Sequence, residues 1–151
     1  MKVKHLLKDR QPPYYEIAPD QPLQEAVNRM MENHIGSLVV FDEGKMISIV
    51  TERDILRAVH EHGPDFDNIR VQDVMAPDLV ICDMEDSLDQ AMELMFNNKT
   101  GHRIRHIPVQ NEDSLIGVIS IGDIVSALLT ETQYENRLLK SYIKKWPEPE
   151  D

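Results

Sequence analysis

The sequence predicts a mixed α/β (α+β) fold: two β-α-β-β-α repeats packed with pseudo-two-fold symmetry, followed by a long C-terminal helix. Three observations predict it. First, short segments recur in the same order in both halves. Val3-Lys4-His5-Leu6-Leu7 matches Val71-Gln72-Asp73-Val74-Met75, and Pro22-Leu23-Gln24-Glu25-Ala26 matches Ser87-Leu88-Asp89-Gln90-Ala91. Leu38-Val39-Val40 matches Ile107-Pro108-Val109, and Thr51-Glu52-Arg53-Asp54 matches Ser120-Ile121-Gly122-Asp123. Second, Leu23, Ala26, Val27 and Met30 share one helical face, as do Leu88, Ala91, Met92 and Met95. Third, each such helix is followed by two β-rich runs joined by a polar turn, Asp42-Glu43-Gly44-Lys45 or Asn111-Glu112-Asp113. The repeats fall at 1–68 and 69–130, leaving 131–151 as a C-terminal helix and acidic tail.

Each half opens with a short helix or turn and a short strand, Tyr15–Ile17 or Leu79–Cys82. The next helix starts with Pro22 at its first position in one half and Ser87 as N-cap in the other. The hairpin follows. Pro108 lacks an N–H, so its strand is expected at a sheet edge. The last helix of each repeat opens at Thr51 or Ser120, and His62-Gly63-Pro64-Asp65 links the halves. The first half carries extra residues around Lys8–Pro13, the second around Asn98–Arg103. Neither half is long enough for a comfortable core, so the two are expected to share one and to leave a cleft between equivalent elements. Beyond the second repeat, Tyr134, Leu138, Leu139, Tyr142 and Ile143 keep helical spacing, an apolar stripe expected to pack on a twin subunit or on the first repeat. Trp146–Asp151 is expected to be disordered.

The chain has 151 residues and a net charge of −11, from 16 Lys+Arg against 27 Asp+Glu. That balance argues against nucleic acid or an anionic membrane as partner, since both require fixed positive charge. A phosphate-bearing ligand would need a local cationic cluster. The one cysteine, Cys82, excludes an internal disulfide and reads as a small buried hydrophobe. No apolar run reaches the ~18 residues of a spanning helix. The N-terminus lacks the apolar core of a signal peptide, so the expected location is cytoplasmic.

The chemistry-bearing residues gather at the strand mouths. In an antiparallel hairpin the start of the first strand lies beside the end of the second. Arg105 and His106 therefore lie near Ile119 and Ser120, and Gly36 and Ser37 near Val50 and Thr51. Thr51 and Ser120 then begin helices, whose first N–H groups are unpaired. Each half thus offers a hydroxyl, an acid three residues on (Asp54, Asp123) and free amides. Read as local structure, these are capping boxes worth about 1 kcal/mol, although Asp is short for the reach back to the cap. Two copies at matching places favour ligand contact, and the hydroxyl can serve both. The run Gly101-His102-Arg103-Ile104-Arg105-His106 occurs only in the second repeat. Alternation puts Arg105 on the core face of Ile107 and Val109, where it needs an anion or a carboxylate. Phosphate recognition is one reading; pairing with an acid, or a solvated turn, is the other. His60-Glu61-His62 lacks a third metal ligand and reads as exposed helix-end histidines. No glycine-rich phosphate loop, nucleophile elbow, metal set or paired acid and base is present, so no catalytic residues and no enzyme are expected.

Ile35-Gly36-Ser37-Leu38-Val39-Val40-Phe41-Asp42 with Ile47-Ser48-Ile49-Val50-Thr51-Glu52-Arg53-Asp54-Ile55-Leu56 resembles the signature of a cystathionine β-synthase (CBS) domain. Ile104–Val109 with Leu115–Val125 resembles a second copy, so the chain is similar to a stand-alone tandem CBS pair, a Bateman module, over about Val3–Leu129. The resemblance implies a non-enzymatic regulatory module that binds an adenine nucleotide between the repeats, with AMP expected first and ATP or NAD as alternatives. Asp54 and Asp123 would accept from ribose hydroxyls, with Thr51 and Ser120 assisting at sugar or phosphate. Ile17, Ala18, Val80, Ile81 and Cys82 would line the adenine pocket, and Arg105 and His106 would meet phosphate. Ser37 and Arg103 complete the expected ligand set. Gly36-Ser37 stands where the second repeat has Arg105-His106, which argues against two equally strong sites. A homodimer, through the apolar stripe of the C-terminal helix, and a regulated partner protein are also expected. The alternative is a ligand-free dimerisation or interaction module.

Overall fold

The computed structural model describes residues 1–145, so the expected disorder of Trp146–Asp151 lies outside the described residues. The first half runs α1 (Lys4–Leu7), β1 (Glu16–Ile17), α2 (Leu23–Asn33), β2 (Ser37–Asp42), β3 (Lys45–Thr51) and α3 (Glu52–His62). A 3-10 turn, Gly63–Asn68, leads to α4 (Val71–Val74), β4 (Cys82–Asp83), α5 (Leu88–Phe96), β5 (His106–Asn111), β6 (Ser114–Ser120) and α6 (Ile121–Lys145). The two halves are copies in element order, as the repeats predict. Ser87 caps α5 as expected, with a reciprocal box: Gln90 N–H donates to Ser87 Oγ (3.1 Å) and Ser87 N–H to Gln90 Oε1 (2.7 Å). Pro22 is the N-cap of α2 rather than its first helical residue, because its ψ of 144° is extended.

Each half forms a three-stranded sheet, β1-β2-β3 or β4-β5-β6. The hairpins share one register, Ser37↔Thr51 in the first and His106↔Ser120 in the second, with an irregularity after Val40 and after Val109. Glu43 (φ +50°) and Gly44 (φ +78°) are the two left-handed residues of the first hairpin's turn.

Pro108 does not lie at an edge. β5 is the central strand of its sheet. The proline is accommodated because the parallel ladder shortens at that point. In the first half β1 pairs at Glu16↔Val39 and Ile17↔Val40, and Val39 N–H donates to Tyr15 O at 2.8 Å. Pro108 stands where Val39 stands and has no proton to donate, so the second ladder starts one pair later, at Cys82↔Val109. The strand expected over Leu79–Cys82 consequently begins only at Cys82.

There is no single shared core. One cluster holds Ile17, Leu23, Ala26, Met30, Leu38, Val40, Val50, Ala58 and Val71; the other holds Val3, Cys82, Leu88, Ala91, Met95, Ile107, Val109, Ile119 and Ile124. The halves are joined by an exchange of their leading segments. Val3, which precedes the first repeat's strand, is buried in the second cluster, and Val71 is buried in the first. The hydrogen bonds repeat the exchange: Val3 N–H to Asp86 O (2.8 Å) and Leu88 N–H to Met1 O (3.3 Å) correspond to Val71 N–H to Gln21 O (3.0 Å) and Leu23 N–H to Ile69 O (2.8 Å).

α6 runs without a break for 25 residues, from Ile121 to Lys145. Tyr134, Leu138, Leu139 and Ile143 on its outer part are all more than half exposed, so this stripe does not pack on the first repeat. Among the described residues, no helix is long and apolar enough to cross a membrane.

Candidate functional site

The hairpin register delivers Thr51 and Ser120 to the N-termini of α3 and α6, and one helical turn brings the acids back over them. Asp54 Oδ2 accepts from Thr51 N–H (2.8 Å) and from Thr51 Oγ1 (3.1 Å). Asp123 Oδ2 accepts from Ser120 N–H (2.8 Å), while Asp123 N–H donates to Ser120 Oγ (3.1 Å). The expectation that aspartate is too short to reach the cap is therefore wrong in both copies. Each acid keeps its second oxygen for an arginine: Asp54 Oδ1 meets Arg57 at 2.6 Å, and Asp123 Oδ1 meets Arg10 at 3.1 Å.

The acids do not face one cleft. They line two hollows, each built from the acid of one repeat and the lead-in and strand mouth of the other. The first, about 550 Å³, takes Thr51, Asp54, Arg53 and Arg57 from the first repeat, and Pro77, Val80, His102, Arg103, Ile104, Arg105 and His106 from the second. The second, about 400 Å³, takes Ser120, Asp123 and Val118 from the second repeat, and Arg10, Tyr14, Tyr15, His34, Gly36 and Ser37 from the first. The lead-in segments are pinned across the repeats. Ala76 N–H donates to Ile49 O (3.1 Å) and Ser48 Oγ to Ala76 O (2.6 Å), while Val118 N–H donates to Pro13 O (3.3 Å). His106 lines both hollows.

This changes the grouping read from the hairpins. The backbones of Arg105 and Ser120 do adjoin, with Ile121 N–H on Arg105 O at 2.8 Å. The side chains of Arg103 and Arg105 nevertheless line the hollow of Asp54, not that of Asp123. Arg105 is exposed rather than on a core face, because β5 begins only at His106 and its alternation does not extend back to residue 105. Val80 reaches the first hollow, and Ser37 the second. Ile17 and Cys82 do not reach either, since both are packed inside the clusters of their own sheets. Ala18 and Ile81 line neither hollow. The sequence reading missed Arg57, whose signal is its i,i+3 spacing from Asp54. It also missed Arg10, which lies in the extra segment of the first repeat.

Charge and burial separate the groups further. Burial lowers the pKa of His106 from its ordinary 6.5; Arg105 lowers it too, while Glu52 and Asp123 oppose the shift. Burial, helped by Asp86 and Asp83, pushes the Cys82 thiol up to about 12, so it is no nucleophile. Gly36 lines the second hollow beside Glu52 and His106. A Cβ there would overlap the Glu52 carboxylate and stand 3.0 Å from His106 Nε2.

A family model described as "CBS domain" matches residues 3–61 and 71–130. The chain is 36% identical over 130 residues to an Arabidopsis thaliana protein named "CBS domain-containing protein CBSX3, mitochondrial", covering 83% of this chain and 61% of that protein's length. It superposes with a TM-score of 0.76 and 37% identity on a crystal structure of a CBS-domain containing protein from Agrobacterium tumefaciens, over 84% of this chain and 98% of that one. The crystal structure of CBSX2 in complex with AMP shares the fold at a TM-score of 0.68 and 22% identity, over 87% of this chain and 98% of that one.

Proposed function

The chain belongs to the CBS-domain family, and we propose that it is a non-catalytic regulatory protein that binds an adenine nucleotide in the hollow of Asp54. The observation that carries this reading is the composition of that hollow. It brings three acids (Glu52, Asp54 and Asp78), four arginines (Arg53, Arg57, Arg103, Arg105) and an apolar wall of Ile49, Pro77, Val80 and Ile104 around a single space. A carboxylate suits the vicinal hydroxyls of a ribose, guanidinium groups suit a phosphate, and an apolar wall suits a purine. The AMP complex of CBSX2 supports the choice of ligand.

In this reading Asp54 and Thr51 hold the sugar, and Arg103, Arg105 and His106 meet the phosphate. The sugar contacts come from one repeat and the phosphate contacts from the other, so the ligand ties the two together. It favours the arrangement it fits, and a partner protein reads that difference in population. The exposed Leu138, Leu139 and Ile143 of α6 are where two copies would meet as a homodimer; a monomer mass by light scattering would exclude that.

Titration calorimetry of the full chain with AMP, ATP, NAD and S-adenosylmethionine tests the site. The arginines favour the three phosphate-bearing ligands over the cationic one. Heat from none of them overturns the nucleotide reading and leaves the ligand-free dimerisation module, which the exposed stripe alone would support. Turnover of a bound ligand on long incubation would overturn the non-catalytic part.

A further inference from the structure

The two hollows differ in which arginine holds the acid. Arg57 comes from the same helix as Asp54, one turn on, and its side chain is 46% exposed. It can rotate into solvent without moving any backbone, leaving Asp54 Oδ1 for another donor. Arg10 comes from the other repeat and is fastened more firmly. Its guanidinium donates to Val118 O at 2.7 Å and reaches Asp123 Oδ1 at 3.1 Å, and its backbone N–H donates to Leu7 O at 3.2 Å. The segment that carries it is tied to β6 through Val118 N–H and Pro13 O. A sugar approaching Asp123 meets one oxygen already on the Ser120 amide and the other on a guanidinium anchored at a second point.

The sequence explains why only one hollow is so arranged. The first repeat carries extra residues around Lys8–Pro13, and Arg10 lies in that stretch. The extra chain of the second repeat, around Asn98–Arg103, supplies Thr100, His102 and Arg103 to the other hollow. One insertion therefore adds a cation, Arg103, facing the first hollow, while the other adds a cation that already holds the acid of the second.

Resting on the nucleotide reading of the first hollow, we infer that Arg10 guards a latent second site. Its guanidinium occupies Asp123 in place of a ribose, so the protein takes one adenine nucleotide per chain, and the second hollow accepts one only when Arg10 leaves.

The test is the number of AMP molecules bound per full-length chain, by calorimetry. The wild type is expected to bind one, Arg10→Ala two, and the double variant Arg10→Ala/Asp123→Ala one. Asp54→Ala is expected to weaken the wild-type site roughly tenfold to a hundredfold, which assigns it to the first hollow. If the alanine variant melts below the assay temperature, Arg10→Gln, similar in length and uncharged, replaces it in the count. Two sites in the wild type overturn the guard, as does a single site in both Arg10 variants. Two sites in the double variant also overturn it, because the added site would then lie elsewhere. If neither the wild type nor any variant binds AMP, ATP, NAD or S-adenosylmethionine, the nucleotide reading itself fails and the guard falls with it.

Discussion

Asp54→Ala separates a capping role from a binding role, because the structure gives a magnitude for each. In the protein alone, the carboxylate satisfies the Thr51 N–H and hydroxyl and pairs with Arg57. Loss of a helix cap costs about 1 kcal/mol. The pair with Arg57 is half-exposed and within one helix, so it adds only about 0.3–0.5 kcal/mol. For a chain of this size, ~2–4 °C of melting temperature corresponds to each kcal/mol. The variant should therefore melt roughly 3–6 °C lower and remain folded. If Asp54 also accepts from a ribose, a hydrogen bond to a charged group worth about 1.5–3 kcal/mol is lost on binding. AMP affinity should then fall roughly tenfold to a hundredfold. Arg57→Ala is the control. It removes the competitor for Asp54 Oδ1 while leaving the cap intact, so affinity should hold or tighten. Calorimetry reads binding and a thermal melt reads stability. A lower melting temperature with unchanged AMP affinity in Asp54→Ala would show the acid to be a cap and nothing more. Equal losses of affinity in both variants would assign the contact to Arg57 instead.

Two further outcomes follow from buried titratable groups. Because burial lowers His106 below 6.5, the unfolded chain takes up that proton first as the pH falls. The stability it contributes is complete above its unfolded value and is lost as pH drops through the folded one. Urea midpoints between about pH 7.5 and about pH 5.5 should fall more for the wild type than for His106→Gln, despite the opposing pull of Glu52 and Asp123, and equal falls would refute this. Cys82, with its thiol at about 12, should resist an aromatic disulfide reagent at about pH 8 until the chain unfolds; rapid labelling of the native protein would contradict its packing in the core.

What the sequence made legible is what local chemistry decides. Both hairpins, the cap at Ser87 and the acids at Asp54 and Asp123 follow from spacing within a few residues. The Pro108 rule failed because it treats the strand as a whole, whereas only one neighbouring pair needed the missing proton, and the chain gave up that pair. Arg105 was assigned to the core face by extending an alternation past the first residue of its strand. The exchange of leading segments was hidden for a different reason. Val3 and Val71 are equally apolar and precede equivalent strands, so burial at home and burial across the repeats look identical in one dimension. Pairing of Arg10 with Asp123 is likewise tertiary, set by where Lys8–Pro13 crosses β6.

The traded leaders have a consequence for anyone who would take the molecule apart. A cut in the turn at Gly63–Asn68 does not fall between self-sufficient pieces. The N-terminal piece would keep Val3, which belongs in its sibling's interior, and would forfeit Val71, which belongs in its own. Repetition here yields an indivisible object: each copy is finished only by a residue that the other one carries.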